Sequence, residues 1–262
     1  MELKRLLSIV AIVGLVVISC ETDNSVTQNQ IPDATLFKIS SLGFGTQGAY
    51  RADGGYIVEG DIFLSEGDLS SVPTSPRLII AQVEQYNTFN LVTSLPRVIT
   101  VSGSGNVPAS VSSAIDGAIA RYNAENLGLT FQRVSSSGDI NVKIVNGGSY
   151  IVSSGFPSSG GAPYGEVKFN KKYATYSSGF LTTVLTHEMG HCIGFRHTDY
   201  MNRSYSCGTG GNEGQETTGI GAVHIPGTPT GPDSGSWMLA CLSSTTNRPF
   251  NSNDKVALNY LY

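Results

Sequence analysis

The feature that most constrains this chain is an eleven-residue window, His187-Glu188-Met189-Gly190-His191-Cys192-Ile193-Gly194-Phe195-Arg196-His197. Two histidines four residues apart lie one above the other on a helix, so both imidazoles can reach one metal ion. Leu181, Val184, Leu185 and Met189 recur at helical spacing and supply that helix with a buried stripe, and Ser177 or Ser178 is placed to cap its start. Gly194 has no Cβ, so the chain can turn sharply there and leave the helix. That turn would bring His197 round as a third ligand. Three neutral imidazoles leave one position of a four-coordinate zinc site open to water, which is the arrangement of a catalytic rather than a structural zinc. Glu188 projects beside such a site without reaching the metal, and Cys192 points away from the histidine face. The chain holds only four histidines and three fall in this window, so a helix that carries them by accident is a poor account.

Elsewhere the pattern is that of a mixed α/β protein, with a final third that is mostly loop. Arg97-Val98-Ile99-Thr100-Val101 reads as a strand, forming one hairpin with Leu78 to Val83 or standing beside it. A helix starts at Pro108, carries Val111, Ile115, Ala118, Ile119 and Tyr122 on one face, and has Gly128 as its C-cap. Leu129 to Val134, the alternating Ile140-Asn141-Val142-Lys143-Ile144 and Glu166 to Phe169 read as strands. Phe37 to Leu69 has turn signals around Tyr56-Ile57-Val58, and the Pro- and Ser-bearing stretch from Ser70 to Pro76 marks a boundary. The net charge of −4 offers no basic stripe for phosphates, so nucleic acid is not an expected partner.

At the N-terminus Lys4 and Arg5 precede an apolar run from Leu6 to Ile18. The run is shorter than the ~20 residues of a comfortable membrane span and has the proportions of a secretory signal. It ends in Val17-Ile18-Ser19-Cys20, which resembles a bacterial lipobox with Cys20 as the lipidated residue, and the polar stretch from Glu21 to Gln30 reads as a tether. The expected location is therefore outside the cytoplasm, on a bacterial membrane through a lipid anchor, facing the periplasm or the cell surface. Cys192, Cys207 and Cys241 remain, and an oxidising compartment makes one disulfide and one free thiol the natural arithmetic, with three pairings open.

The stretch His187 to His197 resembles the HExxHxxGxxH signature of the metzincin metallopeptidases, a zincin fold with a small mixed sheet, an active-site helix, a loop-rich C-terminal subdomain and a C-terminal helix. Ser236-Trp237-Met238 is similar to the family's turn beneath the metal, with Met238 as the floor; Met201 competes but follows His197 too closely. The closing stretch from Asn251 to Tyr262 resembles the C-terminal helix. From about Leu129 to Cys241 the chain looks like the bacterial dual-action HEIGH metallopeptidases of the protease B type, with Met189 in place of the Ile of that name. The resemblance implies a zinc endopeptidase in which His187, His191 and His197 hold Zn2+ and Glu188 is the general base. Its substrate would be a peptide or protein lying antiparallel to an edge strand, either the one following Ile140 or the segment from Gly147 to Gly165. Where astacin-type members place a tyrosine two residues after the turn methionine, this chain has Ala240, so no tyrosine is assigned a catalytic role.

The same resemblance implies a Cys207–Cys241 disulfide and a buried, inert Cys192. His224 is read as structural or pocket-lining rather than as a fourth ligand. Val58-Glu59-Gly60-Asp61-Ile62 is similar to the Phe-x-Gly-Asp stretch of astacin pro-segments, with Val58 in the place of Phe, so Asp61 becomes the candidate for a latency switch. An ordinary turn between two strands is the alternative there. The expected organisation is a signal peptide over residues 1–19, a tether over 20–35, a pro-segment over 36–75 and a catalytic domain over 76–262. The rival is a metal-binding surface lipoprotein without catalysis, against which an intact Glu188 speaks.

Overall fold

A computed structural model of the chain describes residues 31–70, 85–209, 221–229 and 231–262. The signal, Cys20, most of the expected tether, the boundary stretch beyond Ser70 and the expected strand Leu78 to Val83 lie outside the described residues. In chain order the elements are α1 (Asp33–Ser41), β1 (Tyr50–Ala52), β2 (Gly55–Val58), β3 (Ile62–Ser65), α2 (Glu66–Ser70), β4 (Tyr86–Asn87), β5 (Arg97–Ser104) and α3 (Ala109–Asn123). Then follow β6 (Leu129–Arg133), β7 (Ile140–Val145), β8 (Val152–Ser153), β9 (Glu166–Asn170), α4 (Ser178–Ile193), α5 (Ser204–Cys207), β10 (Val223–His224) and α6 (Ser252–Leu261).

Five strands form the main sheet in the order β6-β5-β7-β9-β8. All neighbours are parallel except the short edge strand β8, which runs antiparallel to β9. Both described neighbours of β5 are parallel, and Leu78 to Val83, the suggested hairpin partner of Arg97–Val101, lies outside the described residues. Alternation does hold in β7, where Ile140 and Val142 are buried and Lys143 is exposed. The apolar stripe of α3 (Val111, Ile115, Ala118, Tyr122) meets α4 and the sheet in one core with Ile99, Val101, Phe131, Phe169, Leu181 and Leu185. Burying one such side chain is worth roughly 1.5–3 kcal/mol, and this layer fixes the helix that carries the histidines.

Gly128 does not cap α3, which ends at Asn123 with Ala124 as its cap. Gly128 is needed for another reason: its N–H donates to the main-chain oxygen of Tyr262, and a Cβ there would lie 2.8 Å from that oxygen. The C-terminal helix α6 thus ends against the loop before β6. Its start is a capping box in which Asn251 accepts from the Asp254 N–H and Asp254 accepts from the Asn251 N–H.

The N-terminal residues form more than the short apolar stretch the sequence suggested. α1 takes in Asp33 to Thr35, the last residues of the expected tether, and β1-β2-β3 form an antiparallel meander. Ile39, Leu42, Phe44, Tyr56, Val58, Ile62, Leu64 and Leu69 make a second buried cluster, to which Phe156 is joined from the main unit.

Candidate metal centre

α4 begins where the Ser177 hydroxyl accepts from the Phe180 N–H and ends at Gly194, whose φ is +112°. A side chain at Gly194 would be strained by that φ, and its Cβ would come within 3.0 Å of the Asn90 carbonyl. The chain leaving the helix is then held on both sides. Thr88 N–H donates to Gly194 O (2.7 Å), Arg196 N–H to Tyr86 O (2.8 Å) and Thr198 N–H to Met238 O (2.9 Å). This is how the local sequence carries His197 back over the helix.

His187, His191 and His197 are 3 % exposed or less. Each ring turns its Nδ1 away from the others onto an acceptor: His187 to Trp237 O at 2.8 Å, His191 to Phe195 O at 2.7 Å and His197 to Glu59 Oε2 at 3.2 Å. With Nδ1 as the donor, all three Nε2 lone pairs face one point. His191 Nε2 and His197 Nε2 are 3.2 Å apart. Asp61 joins them, its Oδ2 lying 3.5 Å from His187 Nε2 and 3.4 Å from His197 Nε2. The four groups offer one ligand atom each, all within 4.8 Å of one another. For comparison, a tetrahedron with bonds of about 2.0–2.1 Å has edges of about 3.3 Å. His187 Nε2 and Asp61 Oδ1 are buried without a hydrogen-bond partner among the described residues. Three imidazole nitrogens, one carboxylate oxygen and an orphaned, convergent Nε2 therefore suit a divalent cation of the zinc type.

The electrostatics agree. Burial, with His187 and His197 beside it, pushes His191 well below the usual histidine range, which keeps it a neutral ligand. Burial would lower His197 too, but Asp61 and Glu59 outweigh it and raise its pKa to about 9. The two carboxylates demand a positive charge at this point, and either a proton or a metal ion can supply it.

Glu188 is 2 % exposed and stands beside this cluster without being part of it. Its carboxylate accepts from the Ser154 hydroxyl at 2.6 Å. Burial first, and the Asp61 charge second, push its pKa well above the ordinary value. Next to it a cavity of about 240 Å³ is walled by Tyr150, Val152, Phe180, Val184, Leu239 and Leu242 and floored by His187 and Glu188.

A family comparison decides what this geometry belongs to. The sequence pattern of the dual-action HEIGH metallopeptidases matches residues 57–262, a stretch that takes in the three histidines, Glu188 and also Asp61. The chain belongs to this metallopeptidase family. Among solved structures it is similar to myroilysin, at 18% identity over 66% of this chain and 96% of that chain with a TM-score of 0.47. It is also similar to high choriolytic enzyme 1, a hatching enzyme zinc-protease from the medaka fish Oryzias latipes, at 17% identity over 63% and 88% of the two chains with a TM-score of 0.40. No curated protein matches the chain.

In this metallopeptidase Met238 is fully buried directly under α4, where a Cβ on Gly190 would meet its Sδ at 2.7 Å. Met201 sits elsewhere and accepts from the Tyr86 hydroxyl at 3.4 Å. His224 is outside the cluster; its Nε2 lies 3.1 Å from Thr228 Oγ1 and its short strand β10 pairs with β4. Ala240 donates its N–H to Asp199 Oδ1. Cys207 and Cys241 are joined in a disulfide, and Cys192 is a buried free thiol whose pKa is pushed well up by burial.

Sequence reasoning missed Glu59, Arg196 and Ser154. Glu59 Oε1 accepts from the Gly45 N–H and lies 3.7 Å from the Arg196 guanidinium, while Oε2 faces His197. Arg196, fully buried, also donates to Gly43 O and lies 4.0 Å over the Phe44 ring. The available signal was a charged residue inside the metal-binding signature itself; a buried arginine needs an acceptor, and here the N-terminal segment supplies it.

Proposed function

We propose that the chain is a zinc endopeptidase made in a latent form, with Glu188 as the general base and Asp61 on the position that a water must occupy. The observation that carries this reading is the place of Asp61 Oδ2, 3.4 and 3.5 Å from two of the three convergent Nε2 atoms. His187, His191 and His197 would hold the ion. When bound, zinc supplies a Lewis acid that acidifies a water and polarises a carbonyl oxygen. Glu188 takes the proton of the attacking water and passes it to the leaving amine.

The N-terminal segment also supports cleavage within a chain rather than at its end. Around Asp61 it lies along the edge of the sheet, where Ile62 bridges Ser154 in parallel fashion, Phe63 N–H donates to Ser154 O and Ser154 N–H donates to Asp61 O. A polypeptide thus passes along this edge on both sides of Asp61, the path that a substrate cleaved within its chain needs. The edge is β8 and Ser154, within the Gly147 to Gly165 segment considered for this role, and the parallel direction is opposite to the antiparallel one expected of a substrate. The apolar cavity beside Glu188 favours a protein substrate with an aliphatic or aromatic side chain next to the scissile bond.

The test is peptide cleavage by the chain with Asp61→Ala, which leaves the metal position open. Activity should disappear on treatment with a zinc chelator and return with about one zinc per chain. Cleavage that persists at full rate in metal-free protein would contradict the reading. Anchoring through Cys20 is part of the proposal: the protein should fractionate with membranes and be released by Cys20→Ser, and recovery of the unaltered protein wholly in the soluble fraction would contradict it.

A further inference from the structure

We propose that Ser154 is the positioning residue for Glu188, tying the sheet edge that holds a substrate to the carboxylate that activates water. The proposal rests on Glu188 as the base. Ser154 follows β8 directly and is 1 % exposed. Its two halves face opposite ways. Its N–H donates to Asp61 O at 3.1 Å and its carbonyl accepts from Phe63 N–H at 2.7 Å, so its main chain grips whatever strand lies in the cleft. Its hydroxyl points inward and donates to Glu188 Oε2 at 2.6 Å, with Glu188 O as the alternative acceptor at 3.1 Å.

The shorter contact lies in the range of charge-assisted O–H···O⁻ bonds, which are about twice as strong as neutral ones. It matters because a glutamate can rotate about three side-chain bonds, and helix α4 fixes only the first atom of that lever. With one carboxylate oxygen held by Ser154, the other is oriented to face a water. A strand added along the edge bonds the same N–H and carbonyl that the Asp61 segment uses. Its arrival therefore presses on the residue whose hydroxyl aims the base. Alignment of that kind appears in the chemical step rather than in binding, since the main-chain grip survives loss of the hydroxyl.

The experiment uses the full chain with Asp61→Ala throughout, loaded with zinc, and measures kcat and KM for a protein-derived peptide. Ser154→Ala should lower kcat by about 10- to 100-fold while KM changes by less than about twofold. Ser154→Thr, which keeps the hydroxyl, should stay within about threefold of the parent kcat. Added to Glu188→Gln, Ser154→Ala should cause no further loss, because there is no base left to aim. Parent-like kcat in Ser154→Ala would overturn the proposal, as would a loss in Ser154→Thr equal to that in Ser154→Ala, or an undiminished effect of Ser154→Ala in the Glu188→Gln chain. The two readings fail separately. Inert Glu188→Gln with parent-like Ser154→Ala sinks the role of Ser154 alone; Glu188→Gln at the parent kcat sinks the base and this proposal together.

Discussion

Glu188→Ala in the zinc-loaded chain that also carries Asp61→Ala is expected to lower kcat for peptide cleavage by about 10²–10⁴-fold, the usual worth of a positioned acid–base group. Zinc content should stay that of the parent, because Glu188 is not among the four groups that converge on the metal position. Thermal stability should hold or rise. Glu188 is 2 % exposed, and a carboxylate taken out of water costs stability that an alanine does not. Removing the group removes the cost, as is common where activity and stability conflict. A variant that cleaves at the parent rate would contradict the base, and one that loses its zinc would place Glu188 among the ligands.

Asp61→Ala should have the opposite sign, raising the activity of the uncut chain on the order of 10²-fold. A tethered carboxylate acts at an effective concentration in the millimolar range, and losing it leaves the metal position to water. The rise should stop short of full activity, because the segment keeps other holds. Val58, Ile62 and Leu64 remain in the second buried cluster, and Glu59 still faces His197 and Arg196. A cut between Leu69 and Leu78 should activate the parent chain, and after it Asp61→Ala should have little further effect. Rates of the two chains before and after limited proteolysis make the comparison. Equal activity of the uncut parent and uncut Asp61→Ala would rule out the switch.

The histidine helix was legible because helix geometry alone turns a spacing of four into a shared face, and Gly194 marks the exit. The strand Ile140–Val145 was legible from alternation, since one of its faces is buried. What could not be read was register and company between distant segments. Nothing near Arg97 shows that its strand has parallel neighbours on both sides. Gly128 looked like a helix cap because glycine serves both a left-handed cap and a close backbone approach, and only the position of Tyr262 separates the two. Ser154 and Glu59 lie 34 and 138 residues from the side chains they hold. A motif written along the chain contains no term for either. Asp61 was visible only through a short resemblance, and its contact with two histidines is a product of the tertiary fold.

The most direct test of the metal centre and its latch is a crystal structure of the full zinc-loaded chain with anomalous data at the zinc edge. The expected result is one strong peak about 2.0–2.2 Å from the Nε2 atoms of His187, His191 and His197 and from one oxygen of Asp61. A peak bound elsewhere, or one coordinated by the three histidines with Asp61 turned away to the surface, would contradict the centre in the first case and the latch in the second.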